Sequence, residues 1–342
     1  MKNIQLILAA AALVGLAACN KAEQASFSPV NPLHPIGFGT YVSETRAIVA
    51  PGDDSMDFGV FAYRTDESWH QGALPDFMYN QKVSGSLSQG FTYSPVKYWP
   101  SSESTKLSFF AYAPYGTEDN GITMHSANTD AGAPKIKYAA PTDDSGFVDL
   151  LVASPVYDAT LSQTEGTVHF MFHHRLSRIG FQARLADRAP DGSTFYLNSI
   201  SLTAKYPSSG IVDLSDGSWS DLTTGREKTE TRTLGAGTRG IILATSKKIV
   251  NGYQGYILCI PTGEEADYTL EATYTVVTYD PAVSGGQVVC TNTVRKDITL
   301  MTEGGKTYDL CLNLNIGASA IEFNSPEISD WTDGGIEEVT CP

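Results

Sequence analysis

Two residues near the start of the chain have the type and setting for covalent chemistry. Cys19 ends Leu16-Ala17-Ala18-Cys19, where small residues close a short apolar run in the pattern of a bacterial lipoprotein signal. On that reading Cys19 becomes the mature N-terminus and carries a lipid. Arg46 stands in Ser43-Glu44-Thr45-Arg46-Ala47, and no other Lys or Arg lies between Lys21 and Arg64. A protease specific for basic residues therefore meets one obvious bond, between Arg46 and Ala47. Cutting it removes everything upstream, lipid included.

Other groups offer less. His169, His173 and His174 cluster, and the i,i+4 spacing of His169 and His173 would suit zinc on a helix. The intervening Phe170, Met171 and Phe172 read as a strand instead, placing 169, 171 and 173 on one face. With no HExxH pattern or nearby carboxylate, these read as structural histidines, and no metal site is expected. Asp213, Asp216, Gly217 and Asp221 are loosely similar to a calcium loop, but the spacing does not match an EF-hand. Asp-Gly between strands is also ordinary hairpin chemistry, and Asp143-Asp144-Ser145-Gly146 has the same two readings. No GxSxG elbow, Walker A loop or strand-linked GxGxxG occurs. No catalytic residue and no cofactor is nominated, and a non-enzyme is expected. A carboxylate pair assembled from distant strands is the catalytic route left open. Trp69, Trp99, Trp219 and Trp331 could stack on a sugar, although burial as an anchor is the commoner role.

Composition bounds the setting for these residues. Met1-Lys2-Asn3 is a minimal charged start, and 4–16 is apolar but too short to span a bilayer. Residues 1–18 are therefore set aside as a signal peptide. The rest of the 342-residue chain exceeds what one core usually supports, so two domains are expected. A net charge of −15, from 23 basic and 38 acidic residues, argues against nucleic acid or an anionic membrane surface as partner. Cys259, Cys290, Cys311 and Cys341 are widely spaced with no CxxC. Disulfides are possible in an exported chain, but these spacings do not choose a pairing.

The elements that must position these residues are strands. Residues 20–35, rich in Ser, Pro, Asn and Gln, read as a tether with too little apolar matter to bury. A first strand follows, with Ile36, Phe38, Thr40 and Val42 on one face. The run 268–276 alternates apolar and polar, as do Tyr308, Leu310, Leu312, Leu314 and Ile316 against their neighbours. Ile200, Leu202, Ala204 and Tyr206 form another such series, and Ile179, Phe181, Ala183 and Leu185 a further one. Such alternation marks antiparallel strands with one face on a core. Asp191-Gly192, Asp216-Gly217, Gly285-Gly286 and Gly304-Gly305 supply turns. The polar stretch 158–166 separates two strand-rich halves. The organisation expected is a signal at 1–18, a lipidated tether and removable first strand at 19–46, an N-terminal unit at 47–163 and a C-terminal unit at 164–342.

In order and spacing, several short stretches together resemble the fimbrillins, the type V pilins and related lipoproteins of Bacteroidetes. They are Thr45-Arg46-Ala47 ahead of Phe58-Gly59-Val60-Phe61-Ala62-Tyr63, then Val96-Lys97-Tyr98-Trp99-Pro100 and Leu107-Ser108-Phe109-Phe110-Ala111-Tyr112. Phe172-His173-His174-Arg175-Leu176, Gly210-Ile211-Val212-Asp213-Leu214, Tyr308-Asp309-Leu310 and Ile328-Ser329-Asp330-Trp331 follow. The resemblance implies an all-β fold of two transthyretin-like antiparallel β-sandwich domains. It also implies export as an outer-membrane lipoprotein at the cell surface, and removal of the first strand at a basic residue. Arg46, with Ala47 after it, is the matching position. The opened groove would then take a strand from another subunit, building a fimbria head to tail. The implied partners are other pilin subunits, the outer membrane through the N-terminal lipid, and an Arg/Lys-specific protease. A surface-anchored lipoprotein that binds a glycan or host ligand without polymerising is the alternative reading.

Acyl chains contribute ~0.8 kcal/mol per buried CH₂, so several anchor firmly where one is marginal. Cys19→Ala is expected to abolish labelling by a fatty-acid analogue and to release the precursor from the membrane fraction. Unchanged labelling would rule out lipidation at this residue.

Overall fold

The computed structural model of the chain describes residues 33–40, 55–141, 146–235, 238–252, 255–315, 322–323 and 326–331. Cys19, Val42, Arg46, Ala47 and Cys341 lie outside the described residues, as do Asp143, Asp144 and Ser145. Apart from one helical turn, Leu161–Thr164, the regular elements among the described residues are strands. Most pair antiparallel, so the fold is the all-β, antiparallel one expected.

The sequence runs 58–63 and 107–113 are apolar at successive positions rather than alternate ones, and the fold gives the reason. Strands Ser55–Thr65 and Lys106–Ala113 lie side by side at the centre of one sheet. The sheet continues to Leu151–Ala153 and Phe172–His174 on one side, and to Met78–Ser86 and Gly90–Thr92 on the other. Both faces of the two central strands are buried. Phe58, Val60, Ala62, Phe109 and Ala111 turn into one core, together with Ile36, Phe38, Phe170 and Phe172. Phe61, Tyr63, Phe110 and Tyr112 turn into a second, with Ile136, Tyr138, Val212 and Leu214. A strand covered on both faces needs apolar residues at every position.

The other half is organised on one long strand, the 21-residue Ser193–Asp213. Its early part pairs with Glu265–Tyr279 and its last residues pair with Lys135–Ala139. Trp219–Thr233 runs along its other edge. Ile200, Leu202 and Ala204 face a third core shared with Ile179, Phe181, Ala183, Leu185, Tyr308, Leu310, Leu312 and Leu314. These are the inward positions that alternation assigned. The strands carrying the last two groups, Ser177–Leu185 and Lys306–Leu314, pair in parallel.

The stretch 158–166 is pinned rather than free. Ala159 and Thr160 are buried, the amide of Thr160 donates to the Gln163 side-chain oxygen, and the carbonyl of Gly166 is bonded twice. The strands that follow, Thr167–Phe170 and Phe172–His174, pair with elements from the first half of the chain. Partners change only after His174, where Ser177–Leu185 joins Lys306–Leu314. In the other direction, Lys135–Ala139 leaves the first half to join the long strand. A polar composition marked a surface segment here, and chain polarity alone does not report which sheet the next strand will join.

The described residues of the remaining motifs make ordinary side-chain contacts. Asp213 accepts hydrogen bonds from the Ser215 amide and hydroxyl and pairs with Lys135 at 3.4 Å, and Asp216 accepts from the Ser218 amide. His173 lies 3.0 Å from the Ser154 hydroxyl, and His174 pairs with Asp149 at 2.6 Å while stacking on Trp331 at 4.1 Å. Among the described residues, no group of three or more His, Cys, Asp or Glu is placed to hold a metal. Cys259, Cys290 and Cys311 carry free thiols, and burial pushes the Cys259 thiol up to about 12.

Candidate strand-acceptor groove

The first core has an unusual lid. The segment from His34 enters antiparallel to residues 97–99, with the Ile36 amide donating to the Lys97 carbonyl at 2.9 Å and the Trp99 amide donating to His34 at 2.9 Å. The chain then becomes the strand Gly37–Thr40, which runs parallel to Thr167–Phe170 in a sheet of just these two among the described residues. The Gly166 carbonyl ties the two runs together, accepting from the Gly37 amide at 2.8 Å and from the Trp99 indole at 3.1 Å. The Tyr93 phenol donates to the Ile36 carbonyl at 2.9 Å.

Side chains do most of the holding. Ile36 is 2% exposed and Phe38 5%. The Phe38 ring stacks on Phe170 at 5.8 Å and packs against Tyr93 at 5.2 Å, Phe109 at 6.0 Å and Phe58 at 6.5 Å. Burying the Ile36 and Phe38 side chains is worth about 3–6 kcal/mol together, as an upper estimate. A four-residue parallel ladder contributes less, since parallel pairing is the weaker kind and each net hydrogen bond is worth roughly 1 kcal/mol. Apolar burial therefore dominates. Thr40 is half-buried, with its hydroxyl buried and lacking a hydrogen-bond partner among the described residues.

Alternate positions of the strand are glycine for a steric reason. A Cβ on Gly39 would lie 2.7 Å from the His169 ring nitrogen, and one on Gly37 2.9 Å from the Thr167 hydroxyl. The parallel register sets Gly37 opposite Thr167 and Gly39 opposite His169, whose side chains lie across the strand. The sequence pattern identified Ile36 and Phe38 and placed Thr40 on their side. It did not pick out Gly37 and Gly39, although the Gly-x-Gly spacing was the available signal. Tyr93 and Trp99, which close the groove from the side, were also missed as a group.

A family model described as fimbrillin-like matches residues 45–331. The chain belongs to the fimbrillin-like family. The first strand precedes the matched span. The chain is 28% identical over 194 residues to fimbrium subunit Fim1C of Phocaeicola vulgatus, an alignment covering 52% of this chain and 50% of that relative. The match thus spans about half of the relative's length. A crystal structure of a fimbrial protein from Bacteroides vulgatus has the same fold, with a TM-score of 0.71 at 22% identity over 87% of this chain and 99% of that one.

Phe38→Ala in this fimbrillin-like chain is expected to cost about 3–5 kcal/mol, because it removes a buried ring from a packed aromatic cluster. Gly39→Val should also destabilise, without creating any cavity, since its side chain collides with His169. Leu33→Ala, at an exposed position, should stay within about 0.5 kcal/mol. Urea unfolding followed by tryptophan fluorescence measures all three. Wild-type stability in Phe38→Ala would mean that the first strand does not hold this core.

Proposed function

We propose that the protein is a structural, adhesive subunit of a type V fimbria, exported as a lipoprotein and assembled by strand exchange after cleavage following Arg46. In this reading the chain comprises two transthyretin-like sandwich units, with the division taken at the change of sheet partners after His174. The observation that carries it is the lid itself. A short strand with one parallel partner strand seals an aromatic core, and it lies upstream of the isolated Arg46. The start of the family match at residue 45 supports the same division of the chain. Kinship with a fimbrium subunit supports association with further copies or related subunits.

The steps follow from surface chemistry. Before cleavage, Cys19 carries the lipid and holds the chain at the outer membrane, while residues 34–40 cover the groove. An Arg/Lys-specific protease cuts between Arg46 and Ala47, and the covalent link to both lid and lipid is gone. Loss of the lid bares Phe58, Phe109 and Phe170 together with the unpaired backbone edge of Thr167–Phe170. Proteins avoid leaving such an edge open, and a strand from another subunit restores pairing and burial together. Donor and acceptor surfaces differ, so the contact is head-to-tail and propagates as an open filament. Freed from its lipid, the subunit can sit away from the membrane within a surface fimbria.

Arg46→Ala is expected to leave full-length, lipid-anchored monomer on cells and to exclude the variant from sheared filaments. N-terminal sequencing of wild-type filament protein should begin at Ala47. Filaments built normally from uncut Arg46→Ala protein would overturn the mechanism.

A further inference from the structure

Away from the groove, Val156–Ala159 presents a second arrangement whose chemistry is that of recognition. Tyr157, on this strand, is 45% exposed. Its ring lies 5.3 Å from that of Trp69, and both rest on Phe110, at 5.7 Å and 5.5 Å. Tyr63 supports Trp69 from the core side at 6.3 Å. The pair is locked in place by the next residue. Asp158 accepts the Trp69 amide at 2.7 Å, while its own amide donates to the Ser108 hydroxyl at 2.9 Å. To make this clamp Asp158 adopts φ 55, a left-handed conformation uncommon for a residue with a side chain.

Trp69 is an odd choice if packing is its whole role. Its indole N–H is buried with no hydrogen-bond partner among the described residues, whereas Trp99 and Trp219 both donate theirs to backbone carbonyls. A phenylalanine would fill space without orphaning a donor. What half-buried Trp69 turns outward is therefore ring hydrocarbon rather than its polar edge. Beside it the Tyr157 hydroxyl remains a donor at neutral pH, because burial and then the charges of Asp213 and Asp216 hold the phenol above its ordinary value. Asp216 is exposed and supplies acceptor oxygens in the same neighbourhood.

The geometry points to a saccharide-binding platform formed by Trp69 and Tyr157, which takes a neutral hexopyranose with a flat C–H face. Rigid aromatic rings bind such faces at low entropic cost, and polar groups at the rim fix orientation. The chain's net charge of −15 disfavours acidic sugars. A β-galactoside suits best, since its axial O4 leaves a contiguous set of C–H bonds on the opposite face. This site is separate from the strand groove and operates whether or not the chain polymerises.

Saturation-transfer NMR with purified protein and methyl β-D-galactopyranoside provides the test. Transfer onto the ring C–H protons is expected, with affinity falling at least tenfold in Tyr157→Ala and retained in Tyr157→Phe. Trp69→Ala should lose binding as well. Because Trp69 also packs on Phe110, the exposed Tyr157 pair carries the decision if that variant unfolds. Asp158→Ala should weaken binding with both rings intact, and Asp158→Asn should restore it. No transfer to the wild type, or equal affinity in Tyr157→Ala, overturns the proposal. So does stronger binding of methyl β-D-glucuronide than of the galactoside.

Discussion

The central sheet of the first half is apolar on both faces, and this obliges the molecule to build two covers. Ser55–Thr65 and Lys106–Ala113 place Phe58 and Phe109 on one side and Phe61 and Phe110 on the other. Leaving either side open to water would forfeit several side chains' worth of burial, each about 1.5–3 kcal/mol. The two covers are made very differently. On the Phe61 side, the long strand Ser193–Asp213 and its partner Lys135–Ala139 bring Val212, Ile136 and Tyr138, all woven into the larger sheet. On the Phe58 side, residues 34–40 and the strand Thr167–Phe170 do the work. One cover is continuous with the larger sheet, and the other pairs residues 37–40 with Thr167–Phe170.

That asymmetry connects packing to function. Removing the inner cover would break the ladders of several strands at once, so it shares the stability of the whole unit. The outer lid makes few backbone bonds and depends chiefly on Ile36 and Phe38. Its few kcal/mol are large against the usual 5–15 kcal/mol of a folded domain, yet within reach of replacement by another strand of similar chemistry. On the proposed reading, this lid over an apolar groove is what a second subunit's strand would replace.

Much of this was legible because period-2 alternation reports one-sided burial directly. Ile200, Leu202, Ala204, Tyr308 and Leu310 fall inward as their pattern dictates. Ile36 and Phe38 were legible for the same reason. The pairing of the strands after residue 166 was not, since Val168, Phe170 and Phe172 look alike whichever sheet they join. Only pairing partners, fixed by tertiary contacts far along the chain, distinguish the two. The parallel direction of the first strand was equally hidden, because inward-facing residues are the same in either direction. The clamp at Asp158 was hidden for another reason: a left-handed aspartate next to an exposed tyrosine leaves no periodic trace.

The lid also defines what could replace it. Across the groove lie Phe58, Phe109 and Phe170, which ask for large apolar side chains at alternate positions of any incoming strand. Across the ladder lie Thr167 and His169, whose side chains occupy the space of a Cβ at the intervening positions. A replacing strand in the same register must therefore be glycine there, or must displace those two side chains. The aromatic floor tolerates many hydrophobic sequences, because burial is non-directional. The steric wall on the other face is much less permissive. Affinity would come from the floor, and discrimination between candidate strands from Thr167 and His169.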